Sequence, residues 1–273
     1  MKVATFNINS INARIDIFSE WLRKEQPDIV LLQEIKCEFN AFPFFEIQTL
    51  GYDAKVLGQK SYNGVAILSK HKMKIEQENL PDFTDDSARY LEALVSINGK
   101  KIKVASLYLP NGNPPYNDSS DTSKFTYKLE WMDAFSRHLK ALLHSEYPVI
   151  LGGDFNIIMT DNDVYNPELF RGTALYRPEV IERLRAIEYS GWYDAFRLAQ
   201  MRGGALSGGA VDNGYTYWDY AGGAFSADLG LRIDYLLLSP KAADRLDKCW
   251  VDKSLRRSSK PSDHTALIGE FTL

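Results

Sequence analysis

The segment VILGGDFN, residues 149–156, decides the fold, because it joins an apolar run to two glycines and two polar side chains. The run at 149–151 is typical of a buried strand, and the two glycines allow the backbone to turn sharply after it. Asp154 and Asn156 are then expected at the carboxyl end of that strand. Taken alone, the segment could also be an ordinary loop.

The same order, an apolar run with polar residues at one end, recurs along the chain. These polar residues are Asn7 and Asn9 after VATF (3–6), Glu34 after DIVLLQ (28–33), Tyr108 near the end of KVASLY (103–108), Asp234 at the opening of IDYLLLS (233–239), and Asp263-His264 before the last apolar run. Carboxylate and carboxamide oxygens are hard ligands suited to Mg²⁺ or Mn²⁺. Clustered carboxylates repel one another, and a bound cation would offset that repulsion.

Each of these residues has a plainer interpretation when it is taken alone. Glu34 could cap a strand in solvent, and Tyr108 could be a core tyrosine with its hydroxyl in water. Asp234 could pair with Arg232. A lone histidine such as His264 is more often structural than catalytic. The hypothesis of an active site therefore depends on the whole set meeting at one edge of the fold.

Periodicity elsewhere predicts an α+β fold. Two alternating runs, 90–97 and 102–109, flank Asn98-Gly99, which is a strong signal for a type I′ hairpin. Apolar residues at helical spacing predict helices before Pro27, over 129–142 and after Pro178. The Gly-rich segment 203–214 indicates a surface loop. Strands outnumber helices, which favours two packed sheets with helices outside.

Composition bounds the class of protein. The chain has 273 residues, 45% hydrophobic and 25% charged, which suits one globular domain over 1–273. Two cysteines argue against a disulfide scaffold or a thiolate zinc site. The net charge of −4 argues against a nonspecific nucleic-acid coat protein. We find no leader pattern and no membrane-length apolar run, so we expect a cytoplasmic monomer with no membrane partner.

Nine segments together resemble one known family. They are FNIN (6–9), LLQEIK (31–36), NGVAILSK (63–70), SLYLPNG (106–112), LGGDFNI (151–157), GWYDAFR (191–197), YTYWDY (215–220), LRIDYLLLS (231–239) and PSDHTAL (261–267). In this order they resemble the exonuclease III and abasic-site (AP) endonuclease family of the endonuclease/exonuclease/phosphatase superfamily. Asn9 stands where some eukaryotic relatives carry an acidic ligand, so the resemblance is to the bacterial type. It implies a DNase I-like, four-layer αββα sandwich with two mainly antiparallel sheets.

The resemblance also implies the composition of the site. It implies Mg²⁺, with Mn²⁺ as a substitute, held by Asn7, Glu34, Asp154, Asn156 and Asp263. It implies catalytic roles for Tyr108, Asp154, Asn156, Asp234 and His264. In that scheme Asp154 positions or deprotonates the attacking water, and Asn156 and His264 contact the phosphate. Asp234 orients His264, and the general base is left open between Asp154 and His264.

The implied partner is duplex DNA with abasic sites or blocked 3′ ends. Arg89 and Lys124 match positions that approach the DNA backbone, with plain surface solvation as the alternative. Tyr217, Trp218, Leu231 and Ile233 match an apolar pocket for a base-free sugar, with ordinary core as the alternative. The expected activities are cleavage 5′ to abasic sites, 3′→5′ exonuclease and 3′-phosphatase or phosphodiesterase. Rivals are another hydrolase of the superfamily, such as a nonspecific DNase or a phosphatase, and a DNA-binding protein that has lost catalysis.

Overall fold

The structure is a computed structural model that describes residues 1–114, 119–203 and 213–273. The predicted loop at 111–118 is described only up to residue 114. Most of the predicted Gly-rich loop, residues 204–212, also lies outside the described residues. None of the helices in the described ranges is long and apolar enough to cross a membrane.

Twelve strands within these ranges form two six-stranded sheets. The strands are β1 Lys2–Asn7, β2 Ile29–Gln33, β3 Asp53–Leu57, β4 Val65–Ser69, β5 Lys72–Glu78, β6 Tyr90–Ile97, β7 Lys100–Tyr108, β8 Val149–Asp154, β9 Tyr193–Asp194, β10 Asp234–Leu238, β11 Leu246–Asp252 and β12 Ala266–Phe271. The first sheet has the order β11-β12-β1-β2-β4-β3 and the second has the order β5-β6-β7-β8-β10-β9. Each sheet has one parallel pair, β1 with β2 and β7 with β8, and is otherwise antiparallel.

Four of the seven helices in the described ranges cover the outer faces of the two sheets. The seven helices are α1 Ile11–Glu25, α2 Phe44–Thr49, α3 Ser123–Leu142, α4 Pro167–Phe170, α5 Pro178–Tyr189, α6 Ala195–Met201 and α7 Pro240–Ala243, with short 3₁₀ turns at Phe39–Ala41, Asp161–Asp163, Ala221–Gly223 and Leu255–Arg257. One apolar cluster packs α1 and α2 on the first sheet, and another packs α3 and α5 on the second. A third cluster fills the space between the sheets. The predicted four-layer αββα arrangement is confirmed.

Local sequence explains several of these boundaries. Asn98 and Gly99 both have positive φ, 49° and 79°, as a type I′ hairpin turn requires. Ser10 caps α1 by accepting a hydrogen bond from the Ala13 amide, and Gln26 ends that helix in the left-handed conformation. Pro178 begins α5, where its missing N–H costs nothing.

The two glycines of VILGGDFN have a different role from the one predicted. Gly152 and Gly153 lie within β8, which continues to Asp154, and they do not form a turn. A Cβ on Gly152 would lie 2.9 Å from Cβ of Thr5 in the facing sheet, and a Cβ on Gly153 would collide with the backbone oxygen of Leu107. Close packing against neighbouring strands therefore explains both glycines, and Asp154 ends a longer strand than the sequence indicated.

Strand register brings the polar residues to one edge. Tyr108 pairs with Asp154 across the parallel β7 and β8, and Asp234 pairs with Asp154 across the antiparallel β8 and β10. Asn7 ends β1 and Glu34 directly follows β2 in the other sheet. The ends of five strands from both sheets thus meet at one rim of the sandwich, because the β1/β2 and β7/β8 pairs both terminate there.

Candidate active site

One cavity of about 310 Å³ opens at this rim. It is lined by Glu34, Tyr108, Asn111, Asn113, Asp154, Asn156, Phe170, Thr173, Leu175, Tyr217, Leu231, Ile233, Asp263 and His264. The lining has a polar part, made of acidic, amide and imidazole groups, and an apolar part whose side chains pack in one cluster. We call this space the site cavity.

Asn7 joins two carboxylates from opposite sheets. Its Nδ2 donates to Oε1 of Glu34 at 2.8 Å and to Oδ2 of Asp154 at 2.9 Å. Its Oδ1 accepts from the backbone N–H of Asn9 at 3.2 Å. In this orientation Asn7 presents a donor to the two carboxylates, so a direct bond from its oxygen to a cation would require the amide to turn over.

His264 lies between two buried aspartates. Its Nδ1 is 2.8 Å from Oδ2 of Asp234, and its Nε2 is 3.6 Å from Oδ2 of Asp154. Burial acts to lower the pKa of His264, but the charges of Asp234 and Asp154 outweigh it and raise the pKa to about 10. Burial, together with the nearby charges of Asp234 and Glu34, raises the pKa of Asp154 despite the opposing charge of His264. His264 is therefore an imidazolium facing a carboxylate that protonates more readily than usual.

The plainer interpretation of Asp234 is wrong. Arg232 pairs with Asp194 at 2.6 Å and with Asp163, and both of those partners are buried. Asp234 instead holds the imidazole ring, while its second oxygen, Oδ1, is buried and has no hydrogen-bond partner. The carboxylate thus fixes the orientation of His264 and stabilises its charge.

Asn156 and Tyr108 lie beside Asp154. Oδ1 of Asp154 accepts from the backbone N–H of Asn156 at 2.9 Å, and the Asn156 side chain donates to the Leu109 carbonyl at 3.0 Å. Burial and the charges of Glu34 and Asp154 raise the pKa of Tyr108 well above its ordinary value. Tyr108 is therefore a neutral hydroxyl across the working pH range.

Several residues of this rim have unusual backbone conformations. Asn9, Glu34 and Asn156 have φ values of 48°, 49° and 50°. Positive φ is tolerated by asparagine, but it is uncommon for glutamate, and such strain concentrates at functional sites. Backbone bonds hold these turns in place, such as the one from Ser10 N–H to the Glu34 carbonyl at 2.7 Å.

Asp263 and Glu34 approach each other through a short chain of contacts. Asn9 Nδ2 donates to Asp263 Oδ1 at 3.0 Å, and Lys36 Nζ bridges Asn9 Oδ1 at 2.6 Å and Glu34 Oε2 at 2.9 Å. Hydrogen bonds and the His264 charge lower the pKa of Asp263 against the effect of burial. The Lys36 ammonium already neutralises part of the negative charge of these carboxylates.

The donor set fits a hard divalent cation. Three carboxylates, those of Glu34, Asp154 and Asp263, line the site cavity, and carboxylate oxygens are the ligands that Mg²⁺ prefers. Asp154, Asp234 and His264 also each offer a ligand atom within 4.8 Å of one another. In that second group Nδ1 of His264 is already bonded to Asp234, and its Nε2 lies beside Asp154. The three carboxylates match the oxygen chemistry that Mg²⁺ prefers, whereas the second group is the one whose ligand atoms lie this close together among the described residues.

The apolar side of the site cavity contains three of the four predicted pocket residues. Tyr217, Leu231 and Ile233 line it, and they pack with residues that the sequence did not single out, Phe170 and Leu175. We call these five residues the apolar wall. The Tyr217 ring also lies 5.0 Å from the His264 ring, in an edge-on arrangement.

Trp218 does not reach the site cavity. Its side chain is 0% exposed and packs with Tyr215, Ala224 and Phe225, while its Nε1 donates to Asp228. The expectation that Trp218 lines the pocket is wrong, because side chains alternate along this extended segment and Tyr217 takes the inward position.

Arg89 and Lys124 lie together beside Tyr108. They line a groove with Tyr127 and the 110–114 segment. The Arg89 guanidinium is 5.0 Å from the centre of the Tyr108 ring and donates to the Tyr108 carbonyl, whereas Lys124 is exposed. Arg89 thus supports Tyr108 from behind, and the solvated interpretation fits only Lys124.

Sequence reasoning missed Lys128. It is completely buried in α3, and its ammonium donates to three backbone carbonyls. Burial lowers its pKa to about 7, opposed by the charge of Asp154. A signal was present: position 128 precedes Trp131, Met132 and Phe135 at helical spacing, so a lysine interrupts the apolar stripe.

Comparison with known proteins decides the family. The model described as the Endonuclease/Exonuclease/phosphatase family matches residues 4–264. The chain belongs to the endonuclease/exonuclease/phosphatase family. Within that family it is 30% identical to exodeoxyribonuclease III of Haemophilus influenzae over 278 residues, covering 99% of this chain and 100% of that protein.

Solved structures of the endonuclease/exonuclease/phosphatase family match over the full length. An AP endonuclease from Archaeoglobus fulgidus superposes with a TM-score of 0.87 at 30% identity, covering 100% of both chains. A 3′ phosphatase from Neisseria, bound to a product DNA hairpin, superposes with a TM-score of 0.85 at 32% identity, again covering 100% of both. The predicted resemblance to the exonuclease III and AP endonuclease family and the DNase I-like fold are both confirmed.

Proposed function

We propose that this protein is a metal-dependent DNA repair phosphodiesterase. Its main reaction is hydrolysis of the backbone 5′ to abasic sites in duplex DNA, with 3′→5′ exonuclease and 3′-phosphatase or phosphodiesterase activity beside it. The observation that carries the proposal is one cavity of about 310 Å³ that is lined both by acidic, amide and imidazole groups and by the apolar wall. The relatives include a 3′ phosphatase and AP endonucleases, which supports the same chemistry here.

The apolar wall supports selection of an abasic sugar. A nucleotide that has lost its base is cheaper to turn out of the helix than an intact one. Its sugar offers an apolar face that Leu231, Ile233 and Leu175 can cover. The phosphate of that sugar would then lie against the polar side.

The carboxylates of Glu34, Asp154 and Asp263 would hold Mg²⁺ or Mn²⁺. The side chains of Asn7 and Asn156 would either bind the cation directly or hold these carboxylates in place. When bound, the cation supplies Lewis-acid stabilisation of the phosphate charge and orients the reacting groups. Lys36, paired with Glu34, offsets part of the negative charge of this edge.

Side chains of the protein act as the general base and as hydrogen-bond donors to the phosphate. Asp154 lies in the cavity between Asn7 and His264, so its carboxylate is placed to accept a proton from the attacking water. His264 is protonated and donates from Nε2 to a phosphate oxygen, and Asp234 keeps it charged. This assignment favours Asp154 over His264 as the base. Tyr108, as a neutral hydroxyl, donates to the phosphate or to the leaving oxygen.

Cleavage of a duplex with one internal tetrahydrofuran residue tests the proposal. With the strand labelled at each end in turn, we expect a 3′-hydroxyl on one fragment and a 5′-phosphate on the other, only with Mg²⁺ or Mn²⁺, and not in EDTA. Asp154→Asn is the matched control, with activity lower by at least about 100-fold. Equal cutting of intact duplex would indicate a nonspecific DNase. Binding without cleavage in either metal would indicate lost catalysis.

A further inference from the structure

Lys128 connects three separate segments of the site. It lies in α3 on the face packed against the second sheet, with 0% of its surface exposed. Its Nζ donates to the carbonyls of Asn111 at 3.1 Å, Asn156 at 2.6 Å and Ala174 at 2.9 Å. The protonated form has three N–H donors, which match these three carbonyls, whereas the neutral amine has only two.

Each of the three carbonyls belongs to a segment that lines the site cavity. Asn111 also donates from its side chain to Asn156 Oδ1 at 3.1 Å, so two of the segments form the polar side together. Ala174 stands between Thr173, which lines the cavity, and Leu175, which belongs to the apolar wall. One ammonium therefore fixes the polar side and the apolar wall relative to each other.

The lysine stem is itself fixed by close packing. Gly112 has a φ of +80°, and a Cβ there would lie 2.7 Å from Cδ of Lys128 and 3.3 Å from Cβ of Ala174. Only glycine leaves room for the stem to pass between the 110–114 segment and residue 174. Gly51 has a similar φ of +84°, but a Cβ added there would have nothing within 4 Å. Replacing Gly51 by alanine therefore introduces the backbone strain without the contact to Lys128.

A lysine at this position is costly, which argues that it has a use. Its helical neighbours Trp131, Met132 and Phe135 are buried apolar residues, so the lysine places a titratable group in an apolar stripe. Among the described residues no carboxylate forms an ion pair with Lys128, so its charge is compensated by carbonyl dipoles. Its hydrogen bonds go to site segments only.

We propose that Lys128 is a positioning residue that sets the spacing between Asn156 and the apolar wall, and thereby the preference for a base-free sugar. This inference rests on the proposed abasic-site activity. A substrate that engages only the polar side does not depend on that spacing. Asn156 retains its contacts with Asp154, Leu109 and Asn111 without Lys128, so hydrolysis of such a substrate should continue.

The test compares two substrates in Lys128→Ala and Gly112→Ala, with Gly51→Ala as the matched control. For the tetrahydrofuran duplex we expect kcat/KM to fall about 10- to 100-fold in both site variants, the usual effect of losing a hydrogen bond to a charged group. For bis(p-nitrophenyl) phosphate, which has no abasic sugar, we expect a change below about 3-fold. Added ethylammonium should restore much of the duplex activity of Lys128→Ala, whereas tetramethylammonium, which has no N–H donor, should not.

Three results would overturn the inference: equal losses on both substrates, duplex activity within about 3-fold of wild type, or no difference between the two added cations. If Lys128→Ala does not fold, Gly112→Ala decides by the same substrate comparison. Wild-type protein that fails to cut the tetrahydrofuran duplex would remove the proposed function and this inference together. If the wild-type enzyme cuts the tetrahydrofuran duplex and the variants cut it equally well, only the inference about Lys128 is removed.

Discussion

Replacing Asp234 by asparagine should remove much of the positive charge of His264 by pH 8. The pKa of His264 is raised from 6.5 to about 10 by neighbouring aspartates, against the effect of burial. That change corresponds to roughly 5 kcal/mol in favour of the imidazolium. Asp234 accounts for the larger part, because it is 2.8 Å from Nδ1 and accepts its hydrogen bond, whereas Asp154 is 3.6 Å from Nε2.

The sign of the pH dependence follows from these contacts. In wild type, His264 loses its proton only as the pH rises through about 10. In Asp234→Asn we expect the pKa to fall by about 2 or more, so that much of the charge is lost by pH 8. At pH 8 we expect kcat to fall in proportion to the fraction of His264 that has lost its proton, about 2-fold for a pKa of 8 and about 10-fold for a pKa of 7, up to the limit of about 100- to 1000-fold for loss of a charged donor. The deficit relative to wild type should shrink as the pH falls towards 6, where the variant's histidine protonates again.

The assay is an NMR titration of the histidine rings in EDTA, paired with kcat on the tetrahydrofuran duplex across the same pH range. Four histidines are present, and His264→Asn assigns the signal. Asp28→Asn is the matched control, since it removes an aspartate 3.1 Å from His71. A His264 pKa near 6.5 in wild type, or one that moves by less than about half a unit in Asp234→Asn, would refute the reasoning.

Three further changes test other parts of the account. Glu34→Gln should weaken Mg²⁺ binding at least about 10-fold by isothermal titration calorimetry, while Glu38→Gln, which changes an exposed neighbour, leaves it unaltered. Leu231→Asn should raise KM for the tetrahydrofuran duplex about 10-fold, because the variant puts an unpaired amide into the apolar wall, and an unchanged KM would argue against that wall as the sugar site. Glu92→Gln should lower the free energy of unfolding by about 3 kcal/mol at pH 7 in urea titrations. Burial acts to raise the pKa of Glu92, but hydrogen bonds and the Lys103 charge lower it overall. Its contribution to stability is thus present above the ordinary carboxyl pKa and lost as the pH falls through the lowered one, so the deficit of the variant should vanish in acid.

The sequence predicted those features that depend on local patterning. The hairpin at Asn98-Gly99 and the start of α5 at Pro178 follow from turn and capping preferences, which act within a few residues. Polar side chains at strand ends also predicted a shared rim. Register explains that success, since Tyr108, Asp154 and Asp234 stand side by side on three neighbouring strands.

The features that the sequence did not reveal depend on contacts between distant segments. Gly152 is explained by Thr5 in the facing sheet, which no local pattern predicts. Whether Tyr217 or Trp218 faces the site cavity depends on the register of one short bridge, where Tyr217 pairs with both Leu231 and His264. Lys128 gains its partners from three loops, so its spacing in α3 marks it only as an anomaly.

The central claim is that the acidic rim binds the phosphate of an abasic site while the apolar wall binds its base-free sugar. A crystal structure of Asp154→Asn with Mg²⁺ and a tetrahydrofuran duplex measures this directly. We expect the phosphate between His264 and Glu34, and the base-free sugar against Tyr217, Leu231 and Ile233. A duplex bound on another face, or a sugar that remains stacked in the helix outside the cavity, would contradict the claim.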